Sequence, residues 1–249
     1  MNKRGQVTLF IILGLIIIII LGIIFYFKSI IFSNSDQEKY SSISPQIKTI
    51  DEYINNCVKT VGEESILLIG QQSGYYKLPE KSTENSIAYY LYKEKLIPPL
   101  STIENSISSY VNVNLDSCIK NFTDIKGFKF KAEKVSAKAS IKDKTVILNV
   151  DYPVKITKAK SEYQLSEFKS VIPVRLGIIY NVTFNIVNEQ LKDNNNICLT
   201  CLVNIGNNND LKINLANYGN DTIIFTILDE KSVINNQPYE FNFAIKYEI

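Results

Sequence analysis

Residues Val7–Phe27 read VTLFIILGLIIIIILGIIFYF, an uncharged apolar stretch of 21 residues. At about 1.5 Å per residue, a helix of this length spans roughly 31 Å, which matches the hydrocarbon core of a bilayer. Lys3 and Arg4 precede the stretch and Lys28 follows it. Because basic residues tend to stay in the cytoplasm, the pattern predicts one transmembrane helix in the cell membrane, with the N-terminus inside and an extracellular ectodomain beyond it.

A cleaved secretory signal is the alternative interpretation of this N-terminus. The apolar run is longer than the core of such a signal, and no small-x-small cleavage site follows it. A retained anchor in the lipid bilayer is therefore preferred. The flanking segments are then a cytoplasmic basic segment or leader, residues 1–6, and a juxtamembrane linker, residues 28–43.

The tetrapeptide Lys3-Arg4-Gly5-Gln6, directly before the apolar run, resembles the class III signal peptide of archaeal type IV pilin-like surface proteins. In that family a prepilin-type peptidase cuts after the glycine, so the resemblance implies cleavage between Gly5 and Gln6. It also implies that the apolar helix is retained, either as an anchor or as a filament core that assembles with copies or partners. The rest of the chain looks similar to single-pass archaeal surface proteins.

The charge balance excludes one class of partner. The chain has 249 residues and a net charge of +2. Beyond residue 28 it carries 24 basic and 25 acidic residues, because Lys3, Arg4 and Lys28 are the only charged residues among the first 28. Nucleic acid is therefore not an expected partner, since binding it requires a basic face.

The absence of histidine narrows the possible chemistry. Histidine is the commonest general base and the commonest transition-metal ligand, so several hydrolase and metalloprotease sites are impossible. The sequence contains no phosphate-binding loop and no Gly-x-Ser-x-Gly elbow. We therefore predict no catalytic residue, no metal and no cofactor, and expect that the protein is not an enzyme.

The stretch 44–126 has the periodicity of helices. Apolar residues at spacings of three and four predict one helix from about Ser44 to Gln71 and another from Ser101 to Asn121. Between them, residues 74–79 and 88–92 read as short strands or loops rich in tyrosine. Clustered tyrosines either form a binding platform or, more often, pack with their hydroxyls at a rim.

From Gly127 the apolar period changes to two, which predicts an antiparallel meander with one wet face. The alternation is clearest in residues 128–132, 135–139 and 146–152. Further along, the patterns predict a helix, two asparagine-rich loops and three strands: Ile178–Leu191, Asp193–Asn196, Asn207–Asp210, Leu211–Leu215, Thr222–Leu228 and Tyr239–Tyr247.

The expected fold class is therefore α+β, with one N-terminal transmembrane helix and an ectodomain of two or three helices and mainly antiparallel sheet. In sequence the ectodomain divides into a helical part, residues 44–126, and a mainly antiparallel β part, residues 127–249.

Four cysteines allow three complete pairings. Cys57 and Cys118 lie on the apolar stripes of the two predicted helices, and Cys198-Leu-Thr-Cys201 is a close pair. A closed zinc site would need further ligands, and a redox pair is more typical of a βαβ context. Outside the cell structural disulfides are favoured, so we predict Cys57–Cys118 and Cys198–Cys201.

Three Asn-x-Thr sequons, at Asn121, Asn181 and Asn220, are candidates for glycosylation. Asn220, in a predicted turn, is the best acceptor, and Asn181, in a predicted helix, is the poorest.

Three functional interpretations follow, and we rank them. The first is a non-catalytic, membrane-anchored cell-surface protein used in adhesion or envelope structure. The second is a subunit of a type IV pilus-like filament, ranked lower because Phe10 stands where many pilins have glutamate. The third is a membrane-anchored solute-binding protein or enzyme of unknown type.

Overall fold

The computed structural model describes residues 45–193 and 196–247. The predicted leader with its Gly5–Gln6 processing site, the apolar helix Val7–Phe27 and the linker 28–43 lie outside these residues. Within the described part of the chain, no helix combines the length and hydropathy needed to cross a membrane. Residues from Thr49 onward form one compact unit, and Pro45–Lys48 begin the first helix.

The fold is α+β, with four α-helices in the described residues where the sequence predicted two or three. The helices are α1 (Pro45–Gln71), α2 (Leu100–Ile119), α3 (Leu176–Gln190) and α4 (Leu199–Asn209). The strands are β1 (Tyr89–Tyr92), β2 (Glu94–Lys95), β3 (Lys129–Ala132), β4 (Ser136–Ile141), β5 (Val146–Lys158), β6 (Ser161–Ile172), β7 (Lys212–Tyr218), β8 (Thr222–Ile234) and β9 (Gln237–Lys246).

One sheet has five strands in the order β2-β1-β9-β8-β7. All its pairs are antiparallel except β1 with β9, which run parallel. The β8–β9 hairpin closes through Asn235 and Asn236, whose φ angles are +51° and +62°. Asparagine tolerates this left-handed region, and two such residues give the turn whose twist matches paired strands. Because β1 comes from the helical stretch 44–126, that stretch and the β part share this sheet.

The second sheet is organised around the long strand β5. One edge of β5 pairs first with β4 and then with β3, and its other edge pairs with β6. The β5–β6 register shifts between Asp151 and Val154, at a bulge that contains Pro153. Every pair in this sheet is antiparallel, as the alternating pattern predicted.

Helix α1 packs against both sheets through its small residues. A side chain added at Gly62 would collide with Leu148 of β5, and one added at Gly70 would collide with the Glu240 carbonyl of β9. Near its C-terminal end, α1 accepts a hydrogen bond at the Ile66 carbonyl from the buried Tyr239 hydroxyl (3.2 Å). These two glycines therefore let α1 approach both sheets closely. The hydrophobic core lies between this helix and the sheets.

The predicted disulfide Cys57–Cys118 is present and joins α1 to α2, with 5.7 Å between the Cα atoms. The Tyr53 hydroxyl donates to the Ile119 carbonyl at 3.1 Å beside it. The second predicted disulfide, Cys198–Cys201, is also present.

Helix α2 covers the outer edge of β4 with side chains one turn apart. The bonds are Ala137 N–H to Asn112 Oδ1 (2.7 Å), Ala139 N–H to Ser108 Oγ (2.9 Å) and Ile141 N–H to Glu104 Oε1 (2.9 Å). Four helical residues rise about 6 Å and two strand residues about 6.6 Å, so the two repeats stay in step. The helix thus supplies acceptors to an edge that pairs with no other strand in the described part of the chain.

Strand β6 and helix α4 differ from the sequence-based expectation. No strand was predicted at β6, where a buried serine, Ser170, interrupts the apolar alternation. The prediction of a loop at Asn207–Asp210 is wrong, because Asn207–Asn209 form the last turn of α4. Asparagine has low helix propensity, and here the tertiary environment overrides it.

Candidate interaction surface

The strand β7 ends the five-stranded sheet and pairs only with β8 among the described strands. Its residues from Asn214 to Asn217 are exposed, although their side chains alternate between the two faces of the sheet. Lys212, at its first position, is the strand's single charged residue. An edge of this kind presents a row of N–H and C=O groups that can pair with another strand.

Helix α4 lies beside β7 and connects to it through a tight turn at Asp210, whose φ is +52°. The close approach depends on Gly206, since an added Cβ there would lie 2.8 Å from the Leu211 carbonyl. A groove of about 480 Å³ runs between the helix and residues 211–215.

Apolar side chains border this groove and face solvent. Leu199 is 61% exposed, Val203 is 59% exposed and Leu215 is 36% exposed. Leu199 and Val203 are one turn apart on α4, so they form a continuous ridge along the groove. We call β7 together with Leu199 and Val203 the β7–α4 face.

Both ends of α4 are fixed. The Cys198–Cys201 disulfide holds its first turn. At its other end the Arg175 guanidinium donates to the carbonyls of Asn209 (3.1 Å) and Asp210 (3.0 Å). A cation near a helix C-terminus also interacts favourably with the helix dipole. The apolar ridge is therefore held in place beside the strand before anything binds.

Arg175 is itself held by a buried carboxylate. Asp229, in the β8 bulge, is fully buried and accepts bonds from Arg175, from the Ser232 hydroxyl and from the Lys231 N–H. Burial raises the pKa of Asp229, but the hydrogen bonds from Arg175 and Ser232 outweigh it and keep the pKa below its usual value. Each oxygen of this buried charge has partners, so the cluster stabilises the fold and does not resemble an unsatisfied reactive site.

A second, smaller cavity of about 350 Å³ lies at the β7–β8 loop, next to the end of the same face. Asn220 and Asp221 line it together with the buried ring of Tyr247. Lys246 pairs with Asp221 at 2.9 Å, and this hydrogen bond lowers the pKa of the Asp221 carboxyl.

The other sheet edges in the described residues are covered, short or charged. Three side chains of α2 cover β4, and Asn55 of α1 accepts a bond from the Lys169 N–H of β6 at 3.4 Å. The outer strand β2 has only two residues, Glu94 and Lys95, and β3 carries Lys129 and Lys131. These are common ways in which proteins prevent edge-to-edge pairing, and β7 has none of them along its interior.

The three sequons lie on the surface. Asn121 follows α2 in a left-handed conformation (φ +51°), Asn181 is exposed on α3, and Asn220 is exposed in the β7–β8 loop. Each acceptor side chain is therefore accessible in the folded part of the chain. Glycosylation at these positions stays a prediction.

The clustered tyrosines mostly pack against other side chains. Tyr90 is fully buried and stacks on Phe243. Tyr89 and Tyr92 are half-buried and meet edge to face, with 5.2 Å between ring centroids. They form no open platform of parallel rings, so the packing alternative describes them better.

The sequence predicted a strand at β7 but did not indicate that this strand is the open edge of a sheet. The available signals were the single charge in Lys212–Tyr218 and the apolar pair Leu199 and Val203 at helical spacing between asparagine-rich segments. Neither signal was decisive without the strand order.

In the described residues, no group of three or more His, Cys, Asp or Glu side chains is arranged to hold a metal ion. Comparison with known proteins gives no further assignment: no protein-family model, curated protein or solved structure matches this chain.

Proposed function

We propose that this chain is a non-catalytic, membrane-anchored cell-surface protein whose ectodomain (the head, residues 44–249) binds other protein through the β7–α4 face, in adhesion or in envelope structure. The observation that carries the proposal is the open edge of β7 beside the fixed apolar ridge of α4. Strand addition to such an edge gains main-chain hydrogen bonds, and the adjacent groove selects the side chains of the added segment. The apolar stretch Val7–Phe27 supports the assignment to a membrane.

The membrane topology is tested by adding protease to intact cells. A head outside the cell is digested beyond about residue 35, whereas cytoplasmic markers stay intact. Complete protection of the head in intact cells, with digestion after lysis, would contradict the surface assignment.

The binding role is tested with Leu215→Lys, because a charge in the middle of an edge strand opposes pairing. The matched control is Val171→Lys, which also replaces an exposed apolar residue on a strand (51% exposed) but lies on β6. We expect cell–cell adhesion, or retention of the envelope layer, to fall in Leu215→Lys and to stay at the wild-type level in Val171→Lys. Equal behaviour of the two variants would count against this face.

A subunit of a pilus-like filament is the second candidate, favoured by Lys3-Arg4-Gly5-Gln6 before the apolar run. Electron microscopy with an antibody against the head separates the two functions. Scattered label on the membrane fits the anchored protein, and continuous decoration of filaments fits the second candidate.

A further inference from the structure

We propose that the partner of the β7–α4 face is the same face of a second copy of this chain, with the two β7 strands paired antiparallel about a two-fold axis at Leu215. This inference rests on the proposed function and names its partner. The pairing would join two five-stranded sheets into one continuous sheet of ten strands.

Hydrogen bonding favours a second β7 strand as the partner. Alternate residues of β7 direct N–H and C=O groups away from β8, and a second β7 offers the same row in reverse order. A two-fold axis satisfies both rows at once, because such an interface uses the same surface on each copy. The opposite edge of this sheet, β2, has only two residues and cannot offer a comparable row.

The register of the pairing also fits a second copy. A pairing centred on Leu215 matches all seven residues of β7. It places Leu215 opposite Leu215, and its other pairs are Ile213 with Asn217, Asn214 with Ala216, and Lys212 with Tyr218. Directly opposed residues in an antiparallel pair share one face of the sheet, so this register keeps both α4 helices on the same side.

Charge also favours the antiparallel pairing. Lys212 is the only charged residue of the strand, and in this register it lies opposite a tyrosine near the loop that carries Asp221 of the other copy. No like charges are therefore opposed across the axis. A parallel pairing in register would instead place Lys212 beside Lys212, which is unfavourable.

The apolar ridge of α4 also favours a second copy. With both α4 helices on one side, Leu199 and Val203 of each copy approach the two Leu215 side chains at the axis. The contact would bury side chains that are 61%, 59% and 36% exposed in one chain. Because both copies are expected to be anchored in one membrane, their effective concentration is high, and a modest interface is sufficient.

The experiment uses the full chain in its membrane and cysteine cross-linking at the axis. The described native cysteines are all in disulfides. A cross-link between chains is therefore formed by the introduced cysteine. Opposed Cα atoms in an antiparallel pair are about 4.5–5.5 Å apart, which a disulfide can span. We expect Leu215→Cys to shift to twice the monomer mass on a non-reducing gel, and the strand control Val171→Cys to stay monomeric.

The register is tested with two differently tagged chains. Ile213→Cys and Asn217→Cys should cross-link to each other when co-expressed, and each alone should give much less dimer. If Ile213→Cys cross-links with itself as efficiently as it does with Asn217→Cys, the antiparallel register is wrong. Absence of dimer from both Leu215→Cys and the mixed pair would overturn the second copy as partner.

In this arrangement Leu215 of one copy lies opposite Leu215 of the other copy, which permits a rescue experiment. Leu215→Lys alone and Leu215→Glu alone should each lose the 213–217 cross-link through like-charge repulsion, and a mixture of the two should recover it. Loss that mixing does not rescue would indicate damage to the strand itself and would overturn the facing position. Both side chains can extend into solvent, and circular dichroism of each variant checks that the head is folded.

The outcome also separates this inference from the proposed function. Suppose that Leu215→Lys loses adhesion, but that a chain whose only change is Leu215→Cys forms no cross-link. The face then binds another protein, and the second copy is wrong as the partner. If the cross-links form but Leu215→Lys behaves normally on the cell, the pairing is right and the proposed function is wrong.

Discussion

Arg175 and Asp229 form a largely buried ion pair. The guanidinium contacts both carboxylate oxygens, and the side chains are 12% and 0% exposed. Removing one member of a buried ion pair leaves the other charge without compensation, which costs far more than losing a surface pair. This contact also positions the C-terminal end of α4, so it supports the interaction surface indirectly.

We expect Asp229→Ala to lower the free energy of unfolding by about 3 kcal/mol, because Arg175 would remain largely buried without its partner. The measurement is equilibrium denaturation of wild type and variant. The control is Glu230→Ala, which removes the neighbouring exposed pair with Lys212 and should cost less than about 0.5 kcal/mol. Similar effects in the two variants would contradict the structural role of the buried pair.

The same carboxylate predicts a dependence on pH. Because the folded pKa of Asp229 is depressed, its contribution is complete above the unfolded pKa and is lost as the pH falls through the folded pKa. The stability difference between wild type and Asp229→Asn should therefore be largest near neutral pH and shrink below about pH 4. A difference that stays constant down to about pH 2 would show that the charge contributes nothing.

At the scale of elements, the cover of β4 by α2 shows how a helix can close a sheet edge without a strand. Each polar side chain of the set accepts from one backbone N–H that no strand satisfies. Without these acceptors, the three backbone N–H groups of β4 would bind water or pair with another strand. The stripe therefore contributes to solubility as well as to stability.

The double variant Ser108→Ala with Asn112→Ala should lower the unfolding free energy by about 1–3 kcal/mol, since two backbone donors lose their acceptors. Amide hydrogen exchange should become faster at Ala137 and Ala139 and change little at Val150 in the strand centre. The control is Ser109→Ala, an exposed serine on the same turn. Unchanged exchange at the two alanines would show that the helix does not protect the edge.

The two disulfides should contribute unequally. Cys57–Cys118 spans 61 residues and Cys198–Cys201 spans 3. Loop-closure entropy gives about 4 kcal/mol for the first and about 2 kcal/mol for the second. Denaturation of the two double-alanine variants should reproduce this order, and the reverse order would contradict a mainly entropic contribution from the long loop.

Several elements were predictable because their signals are local. The stripes of α1 and α2 carry buried apolar residues at spacings of three and four, and both helices match their predicted ranges within two residues. The alternation of β9 likewise reflects its buried face. The cysteines on the α1 and α2 stripes were predictable for the same reason.

The remaining features depend on contacts between distant residues. The sequence of β1 contains nothing that indicates a parallel pairing with β9, more than 140 residues later. The open edge of β7 likewise follows from the strand order and not from its own residues. For α4, the disulfide and Arg175 stabilise a helix whose asparagines would disfavour it in isolation.

At the scale of the whole molecule, maturation gives a further prediction. A cut after Gly5 removes Lys3 and Arg4, so the net charge would change from +2 to 0. Mass analysis of the native protein should find an N-terminal peptide that begins at Gln6. A chain that begins at Met1 or Asn2 in cells with an active prepilin peptidase would contradict the resemblance.

The order of strands also determines when the head can fold during its synthesis. In the sheet, β9 lies between β1 and β8, but in the chain it is made after both of them. Until β9 leaves the ribosome or the translocation channel, β1 and β8 have no common neighbour, and the centre of the sheet is empty. Folding of this sheet therefore requires that the chain has been synthesised through β9. A nascent chain that stops before residue 237 would expose two unpaired inner edges, which is the state that chaperones bind and quality-control proteases degrade.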